Sequence, residues 1–400
     1  MLSGKKIILG VTGGIAAYKS AWLVRSFIKV GAQVRVIMTP EAKDFVTPLT
    51  LSTLSKNAVL SSFTQDKENE LWNNHVELGL WADFFVIAPA TANTLSKMAS
   101  GASENLLLAT YLSAKCPVYF APAMDLDMYK HFTTQANFTR LQSFGNIMIP
   151  ATSGELASGL EGQGRMAEPD DIIAFIINDI QAKLPFYGKK VLITAGPTYE
   201  AIDPVRFIGN HSSGKMGYAL AKCAADLGAE VILISGPTAL TLKHPSVEVV
   251  HIFSAAQLFE QVKLYFEGID VAIAAAAVAD YRPVNPADQK IKKKIGNLQL
   301  TLEPTEDSLK YMGAHKKQQF LVGFALETEN EIENAQSKLA RKNLDLIVLN
   351  SLNDSGAGFS TLTNKVTLID ASGNIEPQEL KSKDEVAKDI FNHIIQAINV

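Results

Sequence analysis

Several residue classes and patterns are scarce in this 400-residue chain, and each scarcity excludes a class of protein. Only two cysteines occur, Cys116 and Cys223, which is too few for a disulfide framework and favours a reducing, cytoplasmic location. The longest purely apolar run that we find, Val271–Ala279, is too short to span a bilayer. Met1–Lys6 leads directly into an apolar run and shows no signal-peptide pattern. A net charge of −4 argues against a general binder of nucleic acids or membrane surfaces, so we expect neither as a partner.

The composition that is present is that of an ordinary globular protein. Hydrophobic residues make up 47% and charged residues 20% of the chain. The length is sufficient for two or three domains, each with a sizeable core.

A strand, a Gly-rich turn and a helix open the chain. Lys5–Val11 has a strand pattern, Thr12-Gly13-Gly14 predicts a tight turn, and Ile15–Val30 has a helical apolar stripe before the next strand, Gln33–Met38. The same order returns from Lys190 onwards. Two such openings predict an α/β protein with two doubly wound, Rossmann-like domains, 1–186 and 187–400.

Polar residues follow the predicted strands of both halves. Phe84–Ile87 runs into 88–93, and Val118–Ala121 runs into 122–129. Because open α/β sheets bind ligands at the carboxyl ends of their strands, these loops predict a ligand site. The first turn is not G-x-G-x-x-G, so the NAD fingerprint is absent.

The loop 194–217 is the most unusual stretch of the second half. It carries many small, hydroxylated and charged residues between a buried strand and the helix predicted at Tyr218–Leu227. Residues 209–216 nearly spell a P-loop, but Met216 stands where Ser or Thr should hold magnesium, and the preceding strand lies too far away. We expect a ligand loop of another kind, with Ser212 and Ser213 beside a helix N-terminus as an anion site.

The second half resembles the phosphopantothenate–cysteine ligases of coenzyme A biosynthesis. The matching motifs are Ala195-Gly-Pro-Thr198, Ile202-Asp-Pro-Val-Arg-Phe207, Asn210, Ser212-Ser-Gly-Lys-Met-Gly217, Ala279-Asp-Tyr-Arg-Pro283 and Lys290-Ile-Lys-Lys293. The first half resembles flavin-dependent cysteine decarboxylases. Its matching motifs are Gly13-Gly-Ile-Ala-Ala-Tyr-Lys19, His75, Ala88-Pro-Ala-Thr-Ala-Asn93 and Gly154-Glu-Leu-Ala157. The whole chain is thus similar to the bifunctional family that fuses the ligase to phosphopantothenoylcysteine decarboxylase.

For the second half, the resemblance implies CTP-dependent joining of L-cysteine to 4′-phosphopantothenate through an acyl cytidylate, with Mg²⁺ or Mn²⁺. Asn210 is implied in the conversion of the acyl cytidylate to product. The implied CTP contacts are Ala274, Ala275, Ala276, Asp280, Lys290, Glu306, Asp307, Ser308, Leu309, Phe324, Lys338 and Lys342. The alanines are otherwise typical of close packing, and the lysines of solvated surfaces. The residues alone do not separate CTP from ATP; the family implies CTP.

For the first half, the resemblance implies FMN and decarboxylation of phosphopantothenoylcysteine to 4′-phosphopantetheine. The implied FMN contacts are Gly13, Gly14, Ile15, Thr39 and Asn93. His75 matches the position of the base, although its neighbours are also typical of a surface imidazole. The family also implies a homo-oligomer with active sites at subunit interfaces. No metal ligands are identified.

Two positions of the first half depart from the family pattern. The family has Pro-Ala-Met-Asn, whereas residue 125 is Asp, whose ionised carboxylate only accepts hydrogen bonds and would repel a substrate carboxylate. The family has Ala-Cys-Gly, whereas residue 158 is Ser, a far weaker acid than a thiol. Three hypotheses follow: a variant decarboxylase with Asp125 and Ser158 in its site, an enzyme that stops after oxidative decarboxylation, or a non-catalytic, regulatory flavin-binding domain beside an active ligase.

Overall fold

The computed structural model describes residues 1–66, 71–293, 297–327, 329–351 and 363–398. The chain divides into two compact units, Met1–Ile180 and Gln181–Val400. Each unit is an α/β fold built around a parallel sheet, so the predicted fold class is confirmed.

The N-terminal unit contains a five-stranded sheet in which all paired strands run parallel. Its strands are β1 Lys6–Val11, β2 Gln33–Met38, β3 Thr64–Asp66, β4 Leu71–Trp72, β5 Phe84–Ala90, β6 Val118–Pro122, β7 Ile147–Met148, β8 Thr152–Glu155 and β9 Glu161–Arg165. Its helices are α1 Ser20–Lys29, α2 Pro48–Ser55, α3 His75–Trp81, α4 Ala92–Ser100, α5 Leu106–Ser113, α6 Leu126–Lys130, α7 Phe132–Ser143 and α8 Pro169–Ala182, with 3₁₀ turns at Ile15–Lys19 and Pro40–Asp44. The sheet order is β2-β1-β5-β6-β7.

The C-terminal unit contains an eight-stranded sheet in the order β14-β13-β10-β15-β18-β19-β21-β22. Its strands are β10 Lys190–Ala195, β11 Tyr199–Ala201, β12 Phe207–Gly209, β13 Glu230–Ser235, β14 Val247–His251, β15 Val271–Ala274, β16 Tyr281–Pro283, β17 Leu302–Pro304, β18 Phe320–Glu327, β19 Leu346–Ser351, β20 Thr363–Asn364, β21 Val366–Asp370, β22 Ile375–Pro377 and β23 Lys381–Ser382. Its helices are α9 Lys215–Asp226, α10 Ala255–Tyr265, α11 Ser308–His315, α12 Glu331–Arg341 and α13 Lys383–Ile398, with a 3₁₀ turn at Phe266–Gly268. Strand β21 pairs antiparallel with β19 and with β22, and β22 is the edge strand on that side of the sheet.

The strand orders place a ligand crevice in each unit. In the first sheet the order reverses between β1 and β5, and in the second between β10 and β15. At such a switch point the loops leave neighbouring strands in opposite directions and open a crevice at their carboxyl ends. The Gly-rich turn after β1 and the loop after β10 both begin there.

The central strands could be predicted from the sequence because their residues are buried. Every residue of β5 is buried, because helices cover both faces of the sheet and demand an uninterrupted apolar run. Helix α9 packs very closely on β10, since a Cβ on Gly217 would lie 2.4 Å from Ala195 Cβ. No helix within the described ranges is long and apolar enough to cross a membrane.

Three boundaries differ from the predictions for local reasons. The helix predicted from Ile15 begins as a 3₁₀ turn, and α1 follows only from Ser20. Helix α9 begins at Lys215, earlier than predicted, and its start is set by Gly214, whose φ of +76° is not helical. Strand β15 covers only the first four residues of the apolar run Val271–Ala279, because beyond Ala274 the Ala276 N–H donates to Thr194 Oγ1 at 3.1 Å.

Candidate active sites

The crevice of the N-terminal unit is a cavity of about 820 Å³ at the carboxyl ends of its strands. Seven of the residues singled out from the sequence line it together: Gly13, Gly14, Ile15, Thr39, Asn93, Asp125 and Ser158. This volume lies within the usual range for cofactor sites.

The loops after β1 and β2 approach each other too closely for a side chain. A Cβ on Gly13 would lie 2.6 Å from Glu41 Cβ. Beside this contact, the buried Thr39 hydroxyl has no hydrogen-bond partner among the described residues. A buried polar atom without a partner is costly, and an anionic group in the cavity would satisfy it. These residues therefore fit the phosphate of a flavin mononucleotide.

Lys19 is a cavity residue that the sequence did not single out. Its ammonium is buried and donates to Met166 O at 3.2 Å and to Glu168 Oε1 at 2.8 Å. Glu168 also accepts from Arg165 at 2.8 Å. The hydrogen bond from Lys19 is the main reason that the pKa of Glu168 is lowered. The only signal in the sequence was the place of Lys19 at the end of the first matching motif.

Asp125 and Ser158, the two departures from the family pattern, are hydrogen-bonded to each other. The Ser158 hydroxyl donates to Asp125 Oδ1 at 2.8 Å, and the Leu126 N–H donates to the same oxygen at 2.8 Å. Strand β9 supports this arrangement, since Gly164 O accepts from Met124 N and a Cβ on Gly164 would lie 2.4 Å from Met124 O. The two substitutions therefore form one unit rather than two independent changes.

His75 does not line this cavity. It is the first residue of α3, and its ring meets Phe63 and Trp72 edge-on at centroid distances of 6.2 and 5.9 Å. The ring is half-buried, and Nδ1 has no hydrogen-bond partner among the described residues. The structure thus separates His75 from the other predicted decarboxylase residues within one chain.

In the C-terminal unit, hydroxyl and amide side chains join the loop after β10 to the loop after β15. Thr194 Oγ1 accepts from Ala276 N, and Thr198 Oγ1 accepts from Ala279 N at 2.9 Å. The Asn210 amide donates to Ala277 O at 3.2 Å and to Val278 O at 3.0 Å. Asn210 therefore lies beside the segment that contains Ala274, Ala275 and Ala276.

A second group of predicted nucleotide contacts forms around helix α12. Lys338 Nζ donates to Phe324 O at 2.8 Å, and Lys342 pairs with Asp307. Burial lowers the pKa of Lys338 below its ordinary value. Burial alone would raise the pKa of Asp307, but hydrogen bonds from Lys342 and from the Lys310 N–H lower it.

Further predicted contacts lie at the N-terminus of α11 and at Asp280. Glu306 accepts from Arg282 at 3.2 Å, and the buried Ser308 hydroxyl has no partner among the described residues. Leu309 packs against the apolar core. The carboxylate-bearing Asp280 is exposed, and its backbone carbonyl accepts from Thr305 N at 3.0 Å.

Lys290 is exposed. The backbone of the next residue is held by Asp203 and Arg206, which belong to the matching motif 202–207 but were given no role from the sequence. Lys294, which directly follows the motif 290–293, lies outside the described residues. No group of three or more His, Cys, Asp or Glu in the described part of the chain is arranged to hold a metal ion.

Two protein families match the chain. The family described as flavoprotein matches residues 1–181. The family described as DNA/pantothenate metabolism flavoprotein C-terminal domain matches residues 186–398.

Similar proteins align with most of the chain. The coenzyme A biosynthesis bifunctional protein CoaBC of Bacillus subtilis (strain 168) is 43% identical over 396 residues, covering 98% of this chain and 97% of the relative. A cysteine/cysteine sulfinic acid decarboxylase from an unknown prokaryotic organism is 54% identical over 359 residues, covering 88% of this chain and 100% of the relative. The solved C-terminal domain of a CoaBC protein is 43% identical, with a TM-score of 0.47, and the match covers 54% of this chain and 99% of that domain.

Proposed function

Because the chain belongs to the family of bifunctional coenzyme A biosynthesis proteins, we propose that residues 187–400 join cysteine to 4′-phosphopantothenate with CTP and that residues 1–186 decarboxylate the product with FMN. The protein is an enzyme of coenzyme A biosynthesis with a ligase and a decarboxylase activity. The nucleotide, the flavin type, the subunit arrangement and the residue roles below are our proposals.

The ligase reaction has two steps. A carboxylate oxygen of 4′-phosphopantothenate attacks the α-phosphorus of CTP, pyrophosphate leaves, and an acyl cytidylate forms. The cysteine amine then attacks the acyl carbon, CMP leaves, and the nitrogen loses a proton as the amide forms. The first step brings two anions together, and the second develops negative charge on the acyl oxygen, so cationic side chains and amide donors are needed around them.

The observation that carries this proposal is the hydrogen bonding of Asn210 to the loop after β15. The Asn210 amide reaches two backbone carbonyls there, next to the three alanines assigned to the nucleotide. This contact supports the proposal that Asn210 lies beside the activated carboxyl group. Lys338 lies on α12 and bonds to Phe324 of β18, and Lys342 directly follows the helix; both would supply positive charge for the phosphates.

The divalent cation fits this site as a companion of the nucleotide. Mg²⁺ commonly retains several waters and binds substrate phosphates through few protein carboxylates. Mg²⁺, or Mn²⁺, would screen the triphosphate from the attacking carboxylate.

For the decarboxylase, the 820 Å³ cavity is the proposed FMN site. Bound FMN supplies oxidation of the substrate thiol and the return of a hydride after carbon dioxide has left. Thr39, Gly13 and Gly14 would hold the cofactor phosphate, and Asn93 would lie beside the cofactor. Ser158, whose hydroxyl donates to Asp125 Oδ1 at 2.8 Å, is the proposed polar group at the substrate end of the cavity.

His75 would act from a second copy of the chain. Ile15, Tyr18 and Met128 line the cavity and are 60%, 53% and 52% exposed, so an apolar face surrounds its mouth. Trp72 and Val76 leave a second exposed apolar face around His75. Docking of one face on the other would cover both and bring His75 to the cavity of the neighbouring subunit.

Subunit mixing tests this arrangement. His75→Ala and Ser158→Ala subunits should each release little carbon dioxide, whereas the mixed oligomer should regain activity because some sites combine an intact His75 with an intact Ser158. Absence of recovery in a mixture shown to exchange subunits would overturn the shared site.

A second candidate substrate for the N-terminal unit is free cysteine or cysteine sulfinic acid, the substrates in the name of the 54%-identical relative. The observation that favours it is Asp125. An ionised carboxylate attracts the α-ammonium group of a free amino acid, whereas phosphopantothenoylcysteine offers a neutral amide at that nitrogen.

A coupled assay separates these possibilities. The protein is supplied with 4′-phosphopantothenate, cysteine, CTP, Mg²⁺ and FMN, and phosphopantothenoylcysteine, phosphopantetheine and carbon dioxide are followed separately. We expect both amide formation and carbon dioxide release. Amide formation without carbon dioxide would leave an active ligase beside a non-catalytic flavin-binding domain. Carbon dioxide from free cysteine or cysteine sulfinic acid alone, lost in Asp125→Asn, would establish the second candidate.

A further inference from the structure

The turn 202–206 at the tip of the β11–β12 hairpin contains a buried carboxylate. The side chain of Asp203 has 0% of its surface exposed. Its Oδ1 accepts from Val205 N at 2.8 Å and from Arg206 N at 2.9 Å, and these bonds close the turn. An exposed aspartate could cap the turn equally well, so closing the turn does not by itself explain the burial.

The second carboxylate oxygen reaches a segment far along the chain. Asp203 Oδ2 accepts from Ile291 N at 3.0 Å and from Arg206 Nε at 3.0 Å. Arg206 Nη2 in turn donates to Ile291 O at 2.6 Å. An ion pair thus holds both backbone groups of Ile291, the residue next to Lys290.

A further bond holds the same segment on the other side of Lys290. Ala287 N donates to Ile202 O at 2.9 Å. Lys290 therefore lies between two backbone positions, 287 and 291, that are both tied to one turn. The hairpin that carries this turn ends at Gly209, immediately before Asn210.

The bonding of Asp203 also keeps it ionised. Burial alone would raise its pKa, but hydrogen bonds from Ile291, Arg206 and Val205 lower it. All of its lone-pair directions are used, and a buried charge is tolerated only when it is paired in this way. Loss of any one of these hydrogen-bond donors would leave the buried charge of Asp203 incompletely compensated.

We propose that Asp203 is a positioning residue of the ligase: through Ile291 it fixes the backbone at Lys290 relative to the hairpin that presents Asn210. This rests on the proposed assignment of Lys290 to the nucleotide. One hairpin then holds the lysine used in activation at its tip and the asparagine used in amide formation at its base. Asp203 itself contacts neither substrate.

A double-mutant cycle on the full-length protein tests the proposal. Asp203→Asn keeps the size of the side chain but loses its charge, so kcat/KM for CTP should fall at least about tenfold. In a Lys290→Ala background the same substitution should cost less than about twofold, because its effect passes through Lys290. Equal losses in both backgrounds, or no loss in the wild-type background, would overturn the proposal.

Hydrogen exchange at the Ile291 amide supplies a readout that is independent of activity. The amide should be protected in the wild-type protein and exchange at least about tenfold faster in Asp203→Asn. An unprotected wild-type amide would overturn the positioning role even if the ligase is active. If the wild-type protein shows no CTP-dependent activity, the proposed function fails instead, and the two failures are thereby distinguished.

Two further variants keep the test interpretable. Asp370→Asn is the matched control, because Asp370 also closes a turn by accepting from Ser372 N and Asn374 N, and it should leave kcat/KM unchanged. If circular dichroism shows that Asp203→Asn does not fold, Arg206→Gln replaces it in the cycle. That variant gives up the bond to Ile291 O and leaves the backbone donors of Asp203 in place. The same non-additivity with Lys290→Ala is expected, and additivity would again overturn the proposal.

Discussion

Asn210→Asp should separate the two steps of the ligase reaction. The substitution removes the amide donor that reaches Ala277 O at 3.2 Å and Val278 O at 3.0 Å. It also places a carboxylate oxygen opposite two carbonyl oxygens. Each lost neutral hydrogen bond contributes about 0.5–1.5 kcal/mol, so the pair contributes about 1–3 kcal/mol. That range corresponds to a slowing of roughly 5- to 150-fold in the step that depends on it.

The assay is a rapid-quench time course with CTP, 4′-phosphopantothenate and cysteine. Pyrophosphate should still be released rapidly, about once per active site, while amide formation slows and the acyl cytidylate accumulates. Asn57→Asp is the matched control, because the Asn57 amide also donates to two backbone carbonyls, Val34 O and Ser55 O, but lies in the other unit. Amide formation at the wild-type rate in Asn210→Asp would refute the role assigned to Asn210.

Three further predictions follow from individual contacts. Thr39→Val removes a buried hydroxyl that has no partner among the described residues, so the stability of the apoprotein should be unchanged or up to about 1 kcal/mol greater. The Kd for FMN, measured by fluorescence titration, should rise about tenfold. Unchanged affinity would exclude Thr39 from the cofactor site. Gly217→Ala forces a Cβ to within 2.4 Å of Ala195 Cβ and should lower the free energy of unfolding by about 1–3 kcal/mol in thermal melts, whereas Gly268→Ala, with nothing within 4 Å, should change it little. Burial lowers the pKa of Lys338 below 10.5, so the KM for CTP should rise on the alkaline side before pH 10.5, and Lys338→Arg should abolish that rise. Because the folded chain releases this proton more readily than the unfolded chain, the contribution of Lys338 to stability should increase with pH over the same window.

The sheets could be predicted from sequence because their central strands are buried on both faces. Strand β5 is an uninterrupted apolar run, and the runs at β10 and β18 are nearly so. The repeated strand–turn–helix order then fixed the fold class without knowledge of any contact. Helix boundaries were less certain, as at Lys215, because a glycine cap and not the apolar stripe sets the first turn.

Sequence motifs and the family resemblance predicted which residues belong to the candidate sites, but not the contacts that hold those residues. The family resemblance pointed to Asn210 and Lys338, but their hydrogen bonds are made to the backbone carbonyls of Ala277, Val278 and Phe324, which no side-chain pattern reveals. Side-chain contacts between residues far apart in the sequence could not be predicted either. Lys19 meets Glu168 149 residues away, and Asp203 meets Ile291 88 residues away.

The departures at positions 125 and 158 show what structure adds to a motif comparison. In the sequence they are two separate exceptions, each of which weakens the case for decarboxylation. In the structure one hydrogen bond joins them at the edge of the cavity. A coupled pair can replace the polarity of the family residues in a way that neither change could alone, which is why Asp125→Asn and Ser158→Cys should be tested together as well as singly.

The central claim is that the rim of the C-terminal sheet holds a nucleoside triphosphate against an organic acid. A crystal structure of the protein soaked with CTP and Mg²⁺ tests it most directly. We predict density for the nucleotide at the carboxyl ends of β10, β15 and β18, with its base near Phe324 and its phosphates within reach of Lys290, Lys338 or Lys342. Well-ordered CTP bound at any other surface, or an empty crevice at a CTP concentration that supports turnover, would contradict it.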